Sequence, residues 1–194
     1  MTNLLKLQAS QAALVDALRQ ERASAAVQVL GIVGFALLTA LGAQVRLYLW
    51  EVPFTLQTLA VYGSGLYLGW RNGGLAQLLY LTLGLFFPVF AGDHFGPAYL
   101  FGAVTAGYLL AYPAAAAVVG LLSRRWNSLV GSTLSMLVGS LVFFTLGVVW
   151  LHHTADHATW FESIDKGFLR FIPVDLLKIT GLGLLYAGTR RLGR

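Results

Sequence analysis

The chain has no cysteine among its 194 residues, which excludes disulfides, thiolate metal sites and iron–sulfur clusters. Charge is scarce as well. Asp, Glu, Lys and Arg make up 11% of the sequence, against about 25% in a typical soluble domain. Apolar residues supply 57%, so the composition is that of an integral membrane protein. The basic excess, 13 Lys and Arg against 8 Asp and Glu, is not gathered into a cluster interleaved with polar residues. That excludes a nucleic-acid partner. No Walker motif is present, so ATP hydrolysis is not expected of this chain. No internal repeat, low-complexity stretch or linker divides the chain.

Apolar runs predict an all-α protein with six membrane-spanning helices, near 25–45, 56–70, 73–87, 99–122, 128–151 and 168–188. The second and third are short for full spans. Arg71-Asn72-Gly73-Gly74 reads as a tight turn between them, so the two form a packed hairpin. Residues 1–24 carry no signal-peptide pattern and read as a separate amphipathic helix along the inner leaflet; 25–194 form the membrane domain. Lys6, Arg19, Arg22, Arg71, Arg124, Arg125, Arg190, Arg191 and Arg194 fall on the side of both termini, which the positive-inside rule places in the cytoplasm. Trp50, Trp150 and Trp160 then mark the outer interface, and Trp70 and Trp126 the inner one.

Within the last apolar segment stand Asp175 and Lys178. A charge at the centre of a spanning helix costs about 2.5–3.5 kcal/mol on insertion scales, so such residues mark a ligand path or an internal pair. Three apart, they share one helix face and can serve one ligand together. The plainer alternative is an ion pair that fixes the bundle. On the expected topology both lie in the outer half of the membrane.

Several stretches carry a resemblance. Gly42-Ala43-Gln44-Val45 and Val52-Pro53-Phe54-Thr55-Leu56-Gln57-Thr58-Leu59 resemble the BioY family, the biotin-binding S components of energy-coupling-factor (ECF) transporters. In the same order follow Leu79–Leu85 with Pro88–Gly92, the Ala106-Gly107-Tyr108-Leu109-Leu110 motif, and the ending Phe171–Lys178. The likeness runs from about Ile32 to the C-terminus. It implies the six-helix S-component fold and a prokaryotic plasma-membrane location. It also implies biotin as the transported ligand, with no cofactor. The implied partners are a transmembrane T subunit and two ATP-binding subunits, or further copies of the chain where a member is encoded alone.

The resemblance also implies a pocket near the outer face, between the fourth and sixth helices and the outer loops. Asp175 would accept from the ureido N–H groups, and Lys178 would meet a carbonyl or the carboxylate. Gln57 takes a pocket role by its motif position, with a helix-end hydrogen bond as the alternative. In the loop Gly92–Pro97, His94 stands where some relatives carry an amide, and Asp93 beside it is a second candidate contact or a solvated carboxylate. Tyr108 is expected to pack on the bicyclic ring or to serve as a core aromatic. The chain departs from relatives at Leu109, where some carry arginine; Arg46, Arg170 or His94 can replace it toward the ligand carboxylate. Ala36 and Ala40 form a small-xxx-small pair for partner docking, or equally for packing within the chain.

Two other patterns carry less. His153 and His157 lie four apart beside Asp156 and His152, but the pattern gives no metal site a role. Gly63-Ser64-Gly65 lacks the flanks and base of a serine-nucleophile turn, so the chain is not read as an enzyme. The remaining rival is an S component of the same fold for a different vitamin.

Overall fold

The computed structural model describes residues 14–49, 51–126 and 128–191. Residues 1–13, Trp50, Asn127 and the last three residues lie outside that set, and with them most of the expected N-terminal helix and the Trp50 belt position. Residues 14–19 are helical.

Helix α1 (Ala25–Gln44) starts at Ser24, whose hydroxyl accepts from the Val27 amide. Its 20 residues reach about 30 Å, the thickness of a bilayer's hydrocarbon core. Ala36, Thr39, Ala40 and Ala43 are buried at helical spacing, while Leu30 (71% exposed) and Leu41 (65%) point outward. An outward leucine face suits lipid as the solvent.

At the end of α1 the backbone turns extended. Strands β1 (Arg46–Leu47) and β2 (Phe54–Thr55) pair antiparallel, Arg46 opposite Thr55 and Leu47 opposite Phe54. This strap was not legible in the apolar pattern.

Helix α2 (Gln57–Gly84) is one helical run broken at Gly69, where φ is +80° and ψ −177°. The two arms fold back on each other: a Cβ at Gly73 would meet the Ser64 carbonyl at 2.9 Å. The expected hairpin is present, but its reversal lies at Gly69 rather than in 71–74, which is helical. Only glycine adopts that φ/ψ without strain. Inside the fold Gln77 ties three segments. Its Nε2 donates to Ser64 Oγ at 3.1 Å, and its Oε1 accepts from Thr39 Oγ1 of α1 at 3.2 Å.

The fourth apolar segment is interrupted. A short helix α3 (Pro97–Gly102) is followed by α4 (Ala106–Arg125), with extended backbone at Ala103 between them. Helix α5 (Leu129–Thr154) is capped by Ser128, which accepts from the Gly131 amide at 3.0 Å. A further helix, α6 (Trp160–Gly167), was not expected. Its signal is a reciprocal cap: Thr159 accepts from the Glu162 amide, and Glu162 accepts from the Ala158 amide. A 3₁₀ turn (Leu169–Phe171) leads into α7 (Ile172–Arg191), so the last helix begins four residues later than expected.

Among the described residues, α1, α4 and α5 are long and apolar enough to cross a membrane by length and composition. The hairpin arms are shorter, and α7 carries the two charges. The strap, the 88–96 loop, α3, α6 and the first turns of α4 and α7 gather at one end of the bundle. The Gly69 bend, Arg124 and Arg190 lie at the other.

Candidate functional site

The site is a pocket at the strap end with about 620 Å³ of space between atoms, counted out to its open mouth. Its walls are mainly aromatic: Tyr108 and Tyr112 from α4, Phe143 and Phe144 from α5, and Phe171. Val52 and Pro53 of the strap, with Ala91 and Tyr99, form the rim. Into this apolar cleft point a few polar groups: Gln57, Thr58, Thr105, Asp175 and Lys178. Apolar walls with a small convergent polar set are the usual build of a small-molecule site.

Asp175 is 5% exposed. Because α7 starts at Ile172, Asp175 falls in its first turn, not at a helix centre, and the helix N-terminus favours a carboxylate there. Pro173 is tolerated at that position because its missing N–H has no intrahelical partner. The Asp175 carboxylate accepts from Ser140 Oγ at 2.6 Å and from the Tyr62 hydroxyl at 3.2 Å to each oxygen. An ionised carboxylate offers about four acceptor sites, so capacity remains toward the pocket. Lys178 has different partners. Its Nζ donates to the Thr55 carbonyl at 2.6 Å and to Thr58 Oγ1 at 3.1 Å, which leaves its third donor for a ligand. No ion pair joins Asp175 to Lys178, so the internal-pair alternative is not what the structure adopts.

Gln57 is 3% exposed and held on both sides of its amide. Its Nε2 donates to the Tyr80 hydroxyl at 2.7 Å, its Oε1 accepts from Thr55 Oγ1 at 2.9 Å, and its side chain lines the pocket. Tyr108 also lines the pocket. Its hydroxyl donates to the Gly167 carbonyl at 2.9 Å, and its ring lies flush on Gly147, where a Cβ would collide with it. Leu109 contributes apolar wall.

Other expected contacts lie apart. His94 is exposed and stacks on Tyr99 at 4.4 Å, one ring removed from the pocket. Asp93, with φ +58°, pairs with Arg46 at 3.0 Å above the rim. Arg170 forks onto Asp165 at 2.8 and 2.6 Å. The three groups suggested in place of an arginine at Leu109 are therefore engaged elsewhere. Ala36 (0% exposed) and Ala40 (9%) lie in the core, so in this conformation Ala36 offers no surface to a partner. Packing within the chain accounts for the small-residue pair. Among the described residues no group of three or more His, Asp or Glu can hold a metal ion.

Sequence reading missed Ser140 and Tyr62, which hold Asp175, and the Phe143–Phe144–Phe171 wall. Tyr112 was findable, since it lies one turn from Tyr108 on the same face. Ser140 was an isolated hydroxyl on an otherwise apolar helix.

The strap has further fastenings besides Lys178. Phe54 stacks on Phe171 at 4.2 Å. Glu51 accepts from Lys166 Nζ at 3.2 Å, and Lys166 also meets Glu162 at 2.9 Å. The Glu51 carboxyl is held below its ordinary range, first by its own backbone N–H and then by Lys166 and His157, against the opposing effect of partial burial.

Comparison with known proteins agrees with this geometry. The BioY family model matches residues 13–194. The "Probable biotin transporter BioY" of Pyrococcus horikoshii is 37% identical over 145 residues, 74% of this chain and 84% of its own length. The "Biotin transporter BioY" of Thermotoga maritima is 33% identical over 159 residues, 81% of this chain and 92% of its own. Among solved structures, the S-component for biotin from an ECF-type ABC transporter superimposes with TM-score 0.77. That likeness covers 84% of this chain and 90% of the other at 20% identity, and it supports the fold.

Proposed function

The chain belongs to the BioY family, and from that premise and the pocket we infer that it binds biotin and serves as the S component of an ECF-type transporter. The single observation that carries the reading is the placement of Asp175 and Lys178. Both face one aromatic cleft, and each is held by protein groups without neutralising the other.

Biotin presents two ureido N–H donors and a ureido carbonyl within one small ring, an apolar thiophane ring, and a carboxylate at the end of a flexible chain. Residues three apart on a helix stand about 5–6 Å from each other. Side chains rooted at that separation can both reach one ureido group. Asp175 accepts from a ureido N–H and Lys178 donates to the ureido carbonyl, both charge-assisted. Tyr108, Tyr112 and Phe143 sandwich the bicyclic ring, and Gln57 closes the polar end. The valerate chain leads to the rim below the strap, where Tyr99 and His94 lie.

The pocket end faces outward and both termini face the cytoplasm of a prokaryotic cell, with six segments in the membrane. This follows from the basic residues at the opposite end of the bundle. The described part of the N-terminal segment is joined to the bundle: Val15 lies in the core, Arg19 donates to Ser123 Oγ at 3.1 Å and Asp16 pairs with Arg190 at 2.9 Å. Transport requires a T subunit and ATP-binding subunits, since this chain has no nucleotide motif.

The experiment is uptake of labelled biotin by cells lacking their own transporter. Expression of this chain with a T subunit and ATPase subunits is expected to give ATP-dependent uptake that excess biotin, but not thiamine, abolishes. Uptake of another vitamin instead would restrict the reading to the fold.

A further inference from the structure

Beside the pocket, outside the membrane segments, lies a buried cluster that ligand binding does not use. Ser163 of α6 is 0% exposed. Its hydroxyl lies 3.0 Å from His152 Nδ1, 3.0 Å from His157 Nδ1 and 3.5 Å from the Thr159 carbonyl. One hydroxyl proton cannot serve three partners, so at least one imidazole donates its Nδ1–H to Ser163. The His157 side chain is 3% exposed, and its Nε2 has no hydrogen-bond partner. Its nearest ionic group is Glu51 Oε1 of the strap, at 3.6 Å. In the tautomer where His157 gives its Nδ1–H to Ser163, the neutral ring turns a bare lone pair toward the Glu51 carboxylate. Once protonated, it turns an N–H toward it.

We propose that Glu51, Lys166 and His157 form a proton-sensitive fastening of the strap, in which protonation of His157 tightens the strap over the pocket and slows release of the ligand. Glu51 precedes Val52 and Pro53, which form part of the pocket rim, so whatever holds Glu51 holds that rim. The groups around His157 are few. Helix α5 supplies His152, stacked on Trp160 at 3.8 Å, and His153, edge-on to the same ring. The connecting loop supplies Asp156, α6 supplies Glu162 and Lys166, and the strap supplies Glu51. Of the three histidines, His157 is the one in ionic range of the strap. Glu51, His157 and Lys166 are thus positioning residues for binding; none of them lines the pocket.

The identity of the ligand rests on the biotin reading; the fastening does not, and two readouts on the purified full chain separate them. The first is release of labelled biotin at about pH 8 and about pH 5.5. Release is expected to be about two- to fivefold slower at the acid pH, the size of one exposed ion pair. His157→Asn keeps a donor for Ser163 but cannot titrate, and is expected to lose the difference. Glu51→Gln should lose it and release faster at both pH values. His152→Asn, which alters the Ser163 contact but not Glu51, should keep it. An unchanged pH ratio in H157N or E51Q, or its loss in H152N, overturns the proposal.

The second readout is amide hydrogen exchange of residues 46–49 and 51–55 in ligand-free protein, corrected for intrinsic pH effects. Greater protection at the acid pH, absent in H157N, is expected. If biotin does not bind, the functional reading fails while exchange still decides the fastening: equal protection at both pH values overturns it.

Discussion

Asp175 and Lys178 share one face of α7 and one pocket, yet each is held by a different part of the chain. The carboxylate takes its bonds from Ser140 and Tyr62, while the ammonium gives its bonds to Thr55 and Thr58. Held apart in this way, the two charges are presented to a ligand in fixed positions without rearrangement on binding.

Asp175→Asn retains an acceptor for Ser140 and keeps the fold, but it removes the charge that a ureido N–H meets. A charge-assisted hydrogen bond contributes about 1.5–3 kcal/mol, so biotin affinity should fall about 10- to 150-fold. Titration calorimetry alongside a thermal melt checks this. Equal loss of melting temperature and binding would instead make Asp175 a structural residue.

Lys178→Met should weaken biotin and biotin amide by the same factor, because Lys178 is assigned to the ureido carbonyl. A double-mutant comparison using the two ligands measures it. If the mutation weakens biotin but leaves the amide unaffected, Lys178 pairs with the carboxylate and the ligand lies the other way round.

Ala36→Leu places three extra carbons in a fully buried site. Overpacking of this kind costs about 1–3 kcal/mol, so a lower melting temperature and reduced binding capacity are expected. Unaltered stability with loss of association to a T subunit would restore the docking role that the sequence pattern allowed.

Gly69→Ala should destabilise the hairpin by about 1–3 kcal/mol, the range for a residue forced into a sparsely populated backbone region. Its Cβ would also meet the Arg19 carbonyl at 2.9 Å. Denaturation of the variant measures the cost. A wild-type melting curve would show that the reversal does not depend on that backbone geometry.

Stronger acid should undo the strap. The Glu51 carboxyl sits below its ordinary range in the folded protein, so its contribution is present above the unfolded value, about 4.3, and is lost as pH falls through the lower folded one. Exchange protection of the strap is therefore expected to fall below about pH 4. Protection that keeps rising in that range would exclude Glu51 as the anchor.

The runs of α1 and α5 and the burial of Asp175 beside a pocket were legible because long apolar runs and rare charges are strong signals in a membrane chain. The hairpin was legible but its turn was not: 71–74 has the turn-forming composition, whereas the reversal needs only the single positive φ of Gly69. Helix α6 was hidden because it is short and polar. The surroundings of Asp175 were not legible at all. Ser140 and Tyr62 lie 35 and 113 residues away, and nothing local marks which hydroxyl meets which carboxylate. His94 and Asp93 stand outside the pocket lining for the converse reason: a motif position fixes a loop but not which way its side chains turn.

The central claim is most directly tested by equilibrium binding of labelled biotin to the detergent-purified chain, with unlabelled biotin, thiamine and riboflavin as competitors and Asp175→Asn in parallel. Saturable, near-stoichiometric binding that only biotin displaces, and that D175N weakens while remaining folded, is the result predicted. Absence of biotin binding by folded protein, or displacement by thiamine or riboflavin, would contradict it.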